Sequence, residues 1–172
     1  NTQDLARLAD LLRVKNAADA EVAALVGRPC QLGHVGEWIA GAIFDIQLHD
    51  SATTAGSDGV FRSGPSQGRS VNVKWYPRRE GLLDVHPGPA PPDLYLVLGG
   101  PKGAASSSRG AGRPWVISSV HVFEHGAVVD DLQARGVGVG VHGVEVPAAI
   151  DVGPQEAVVD TPRGEKATRR SA

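Results

Sequence analysis

Four side chains between Gly33 and Trp75 have the types and spacing to build a charged site. Glu37 lies in Gly33-His34-Val35-Gly36-Glu37-Trp38, Asp58 in Gly56-Ser57-Asp58-Gly59, and Asn72 and Lys74 in Val71-Asn72-Val73-Lys74-Trp75. Side chains alternate along an extended strand, so Asn72 and Lys74 share one side and Val71 and Val73 the other, where a core would lie. A lysine set among Val71, Val73 and Trp75 is expected to be largely buried, which is unusual for a lysine without a partner. Asp58 offers an anionic partner, and Asn72 makes a paired polar site on that face. Each residue also has a purely structural explanation. Lys74 would snorkel from an edge strand, Glu37 would offset the helix dipole from the first turn, and Asp58 would bond its own turn.

Stepping outward, the chain must supply a helix for Glu37, a turn for Asp58 and a strand for Asn72 and Lys74. Val35, Ile39, Ala42 and Ile43 make an apolar stripe that predicts a helix from about Gly33 to Phe44, with Glu37 near its start. Phe44 to Leu48 alternates as a strand, Val60-Phe61 resumes an extended run after Gly56-Ser57-Asp58-Gly59, and Ser70 to Trp75 is the next strand. Tyr76-Pro77 closes that strand, because proline cannot continue a central ladder. Leu94 to Leu98 is continuously apolar, as suits a strand covered on both faces. Trp115-Val116-Ile117 and Val120 to Phe123 predict a strand bent at Ser118-Ser119, Val128 to Arg135 a short helix, and Val137 to Val141 a final strand. Ahead of all this, Leu5, Leu8, Leu11 and Leu12 predict an amphipathic helix over Asp4–Val14. Asn16 or Asp19 would cap a second one through Leu25, the pair forming a helical lid.

The 172 residues are expected to comprise an N-terminal helical segment (1–30), an α/β domain (31–152) and a polar, disordered tail (153–172). A hydrophobic share of 41% and a charged share of 21% place the chain among soluble globular proteins. With a formal net charge of −2, no global field draws it to nucleic acid, so such contact needs a local basic patch. No apolar run approaches the roughly 20 residues of a membrane span. Nor is there a signal-peptide pattern at the N-terminus. A lone cysteine, Cys30, excludes an internal disulfide and fits a cytoplasmic setting. Asn1 begins a chain that contains no methionine, so a natural start upstream or trimmed away is expected.

The order Gly-x-x-Gly-Glu on a helix, Gly-x-Asp-Gly, then hydrophobic-x-hydrophobic-Lys resembles the PD-(D/E)XK nuclease superfamily, in particular its restriction-endonuclease-like and resolvase-like branches. From about Gly33 to Gly143 the chain also resembles a bacterial domain family of unknown function, with the same Gly-Glu-Trp helix, Ser-Asp-Gly turn and Val-Asn-Val-Lys-Trp strand. The nuclease resemblance implies an α/β fold with a restriction-endonuclease-like central mixed sheet flanked by helices. It also implies a Mg²⁺-dependent endonuclease, with Mn²⁺ as a substitute, acting on double-stranded or branched DNA. A homodimer is compatible with it. By that resemblance Asp58, the Val73 backbone carbonyl and Glu37 hold the metal, and Lys74 orients and helps deprotonate the attacking water. The chain departs from the pattern at Asn72, where the superfamily usually carries Glu or Asp and sometimes Gln: an amide offers a carbonyl oxygen without charge. A non-catalytic nucleic-acid-binding domain of the same fold is therefore an alternative, and a protein-interaction module a second.

Basic residues at Arg62, Arg69, Arg78, Arg79, Lys102, Arg109 and Arg113 fall in predicted turns and loops, where they could meet phosphates or remain solvated. Six histidines lack zinc-like spacing; His34, three residues before Glu37, faces the same cleft or caps its helix. Gly99-Gly100-Pro101-Lys102-Gly103 lacks the Gly-Lys-Ser/Thr of a phosphate loop. Gly-x-Ser-x-Gly is absent as well.

Overall fold

The computed structural model describes residues 1–50, 56–77, 82–85, 90–101, 115–137 and 144–145. Its first element is a single helix, α1 (Thr2–Val26), in place of the two predicted. No glycine or proline interrupts Val14 to Asp19, and Ala17, Ala18 and Ala20 favour continuation. The ion pair Arg13–Asp10 precedes the expected break and Lys15–Asp19 spans it. Asn1 caps the start by accepting from the Gln3 amide, and Gly27, at φ 74°, ends the helix in the left-handed region. Nor is α1 a lid packed along its length. None of its residues is buried, and Leu5, Leu8, Leu11 and Leu12 are exposed.

Helix α2 (Leu32–Phe44) starts at an N-cap, Gln31, that makes no side-chain capping bond. Glu37 is thus its sixth residue, in the second turn, and the first-turn dipole explanation does not apply. Phe44 belongs to the helix, so β1 is shorter than expected (Ile46–Leu48); Asp45, at φ 54°, makes the reversal between them. Next come β2 (Gly59–Phe61), β3 (Ser70–Tyr76), β4 (Leu82–Leu83), β5 (Leu94–Gly99) and β6 (Ser119–Glu124). Trp115 to Ile117 is not strand. Helix α3 (His125–Ala134) begins three residues before Val128. The final strand expected at Val137 to Val141 falls mostly outside the described residues; Val137 is irregular, and β7 (Val144–Glu145) pairs with β4 in a separate two-stranded sheet. The predicted tail, 153–172, also lies outside them.

The main sheet has the order β1-β2-β3-β5-β6 and is mixed: β3 and β5 are parallel and the other pairs antiparallel. The chain is therefore an α/β protein, with three helices among the described residues. Strand β3 alternates as predicted, with Val71, Val73 and Trp75 buried. Those side chains join Leu94, Leu96, Leu98, Phe61, Ile46 and Val120 in one core, against which Val35 and Ile39 of α2 pack. On the other side Tyr95 and Val97 pack with Val128 and Leu132 of α3, together with Leu83 and Val85. Every residue of β5 is buried because both its faces are covered, which explains its unbroken apolar run. Each such fully buried aliphatic side chain contributes roughly 1.5–3 kcal/mol.

Candidate functional site

The site begins where β2 leaves β3. Their ladder has two rungs, Gly59 opposite Val71 and Val60 opposite Ser70. Past Val71, the side of β3 away from β5 has no strand partner among the described residues. Asp58 stands at this divergence. Its backbone N–H donates to the Val71 carbonyl at 2.8 Å, and its Oδ2 accepts from the Val73 N–H at 2.6 Å. Asp58 therefore bonds across the sheet to β3. One residue's N–H and C=O point to the same side of a strand, so the Val73 carbonyl faces this open edge as well. Gly59 lets β1 and β2 close tightly here, since a Cβ would lie 2.5 Å from the Gln47 carbonyl oxygen.

Glu37 approaches from α2, which lies close against β3. A Cβ on Gly36 would come within 3.2 Å of Trp75. The side chain of Glu37 is 15% exposed, and its Oε2 accepts from Arg28 Nη1 at 2.7 Å. Arg28 Nη2 also donates to the His49 carbonyl at 2.6 Å, tying the α1–α2 connection to the end of β1. His49 in turn donates its backbone N–H to the Asp58 carbonyl (2.9 Å), while its Nε2 lies 3.1 Å from Ser57 Oγ. His34 Nδ1 lies 3.0 Å from the Pro29 carbonyl, closing the turn ahead of α2.

Strand alternation sends Asn72 and Lys74 to the face opposite α2, so the amine and Glu37 start on opposite sides of β3. The Lys74 charge nonetheless reaches both acids. Lys74 is the strongest of the positive charges acting on Asp58, ahead of His49 and Arg28. On Glu37 it acts after Arg28 and His34. Asn72 Oδ1 is fully covered and has no hydrogen-bond partner among the described residues, an acceptor on the same face as Lys74.

Burial pushes both carboxyls above their ordinary range. For Glu37 burial comes first, and together with the neighbouring Asp58 charge it outweighs Arg28, His34 and Lys74. For Asp58 burial outweighs the Val73 N–H and the nearby cations. Two acids whose charged forms are disfavoured make a site that gains from an added cation. One oxygen of Asp58, one of Glu37 and the Val73 carbonyl suit a hard cation in kind, while Asn72 Oδ1 lies on the opposite face of β3 from Glu37. Among the described residues no cluster of three or more acidic, His or Cys side chains could hold a metal ion, so neutral oxygens must complete such a set.

A surface hollow of about 320 Å³, lined by Gln47, Leu48, His49, Asp50 and Val60, borders this site through His49. Of the predicted phosphate contacts, Arg62 is instead paired with Asp45 at 2.5 Å, and Arg69 with Glu124. Arg78, Arg79, Lys102, Arg109 and Arg113 lie outside the described residues. Sequence reasoning missed Arg28, whose two partners are nine and 21 residues away and carry no local signal. Compared with known proteins, the chain matches no family model and no curated protein.

Proposed function

We propose that the chain is a Mg²⁺-dependent endonuclease of restriction-endonuclease-like fold, hydrolysing DNA phosphodiester bonds at the open edge of β3. The observation that carries this reading is the Asp58 carboxylate bonded to the Val73 N–H where β2 and β3 part, with Glu37 and Lys74 near enough for charge interaction with it. Asp58, Glu37, the Val73 carbonyl and Asn72 would hold the metal, with Mn²⁺ as a substitute. A bound divalent ion supplies polarisation of the phosphodiester and offsets charge on the leaving oxygen. Lys74 orients the attacking water, favours its deprotonated form and balances phosphate charge. Asn72 supplies an oxygen without charge, so the metal is held more weakly than by two strand acids.

The decisive experiment is nicking of supercoiled plasmid and branched DNA in Mg²⁺ or Mn²⁺, with Lys74→Ala as control. Cutting that needs both the ion and Lys74 supports the enzyme. A second reading, a nucleic-acid-binding domain of this fold that does not cut, is favoured by the Arg28–Glu37 ion pair, which already neutralises one of the two acids. Salt-dependent DNA binding with no cleavage in either ion would establish it.

A further inference from the structure

Arg28 is placed to decide when Glu37 is available. Its guanidinium is half-buried, 21% exposed, and makes two short bonds, to Glu37 Oε2 at 2.7 Å and to the His49 carbonyl at 2.6 Å. It extends from the short connection between α1 and α2, just past Gly27, while both of its partners are fixed on regular elements or their ends. Glu37 is thus bonded to one cation and feels the Asp58 charge as well. With both acids ionised, Arg28 and Lys74 leave the cluster formally neutral. A divalent ion entering it must compete with a guanidinium for Glu37 and leaves a net positive charge in a partly buried place. A phosphate removes both obstacles. It brings negative charge, and its oxygens match the guanidinium fork as well as a carboxylate does.

We propose that Arg28 couples substrate to metal: it holds Glu37 in the free protein and transfers to a backbone phosphate of bound nucleic acid, releasing Glu37 to the divalent ion. This rests on the reading of Glu37 and Asp58 as metal ligands. Linkage makes the effect reciprocal, so nucleic acid tightens metal binding by the same factor by which metal tightens nucleic acid. Arg28 is here a positioning residue and takes no part in bond breaking.

The test is Mn²⁺ affinity, read from the electron-paramagnetic-resonance signal of free Mn²⁺, with and without a short phosphorothioate duplex that resists cutting. The wild-type chain should bind Mn²⁺ weakly alone and about tenfold tighter with the duplex. Arg28→Gln should bind about tenfold tighter than wild type without the duplex and gain little from it. Glu37→Gln in the Arg28→Gln background should abolish that gain. Equal affinities for wild type and Arg28→Gln, in a protein whose Mn²⁺ binding is lost on Asp58→Ala, would overturn the coupling and leave the metal reading standing. Absence of Mn²⁺ binding in every protein, duplex present, would overturn both. Should Arg28→Gln fail to fold, wild type alone decides: an affinity unchanged by the duplex overturns the coupling.

Discussion

The carboxylate of Asp58 accepts the Val73 backbone N–H at 2.6 Å, filling the place that a continuing β2 strand would have taken. A side chain thus serves as the last rung of a ladder, and the same acid is held, partly buried, at the edge where chemistry is proposed.

That arrangement has a cost that pH should expose. Burial raises Asp58 above its ordinary carboxyl range in the folded chain. A raised acid stabilises the fold below its unfolded value, and this contribution is lost as pH rises through the folded value. Asp58→Asn keeps an acceptor for Val73 and removes the charge. Its melting temperature should exceed that of the wild type at neutral pH by ~2–4 °C, about 1 kcal/mol for a domain of this size, and the difference should close in acid. Thermal melts across the carboxyl range check this; a variant less stable than wild type at neutral pH would contradict it.

Lys74→Ala should lower the rate of Mg²⁺-dependent nicking by roughly 10²–10⁴-fold if the amine handles the attacking water. Its far-ultraviolet circular dichroism and cooperative melt should be retained, because Lys74 is only half-buried and belongs to neither core cluster. Retained nicking with a normal melt would remove Lys74 from the reaction.

Gly59→Ala should destabilise the fold by about 1–3 kcal/mol. The added carbon would stand 2.5 Å from the Gln47 carbonyl and 2.7 Å from Ile46 Cγ2, so β1 and β2 must separate next to Asp58. Urea denaturation measures the loss, and a neutral result would mean that this hairpin yields more easily than its spacing implies.

The two ends of the helical structure should respond in opposite ways. Leu8→Glu on α1 alters a side chain that is 51% exposed and should change stability by no more than about 0.5 kcal/mol. Leu132→Ala on α3 empties a fully buried position and should cost ~2–5 kcal/mol. Denaturant titration of both variants gives the comparison.

Where burial sets the pattern, the sequence was readable. The alternation of Val71, Val73 and Trp75 and the unbroken run Leu94 to Leu98 come from one-sided and two-sided packing, and both reappear in β3 and β5. The mixed order of the sheet was expected from the nuclease resemblance and not from these runs, which carry no strand direction. Ends were harder. Gln31 precedes α2 without a capping side chain, and Asn16 and Asp19 look like caps although the breaker-free, alanine-rich stretch around them continues as helix. The partners of the site residues were harder still. Asp58 bonds Val73, 15 residues on, and Arg28 bonds Glu37 and His49; these are tertiary contacts with no periodic trace. Lys74 was rightly read as sharing a face with Asn72, but that α2, and with it Glu37, packs on the other face is a tertiary arrangement no local pattern records.

Gly36 immediately precedes Glu37 and brings α2 close enough to β3 that one added carbon would meet Trp75 at 3.2 Å. The absence of that carbon works as a spacer gauge. With alanine there, the helix or the indole must yield by a few tenths of an ångström, and the glutamate tip one residue on would be carried with any retreat of the helix. How far an acid can lean over the lip of the sheet is thus governed by a neighbour that has nothing to lean with.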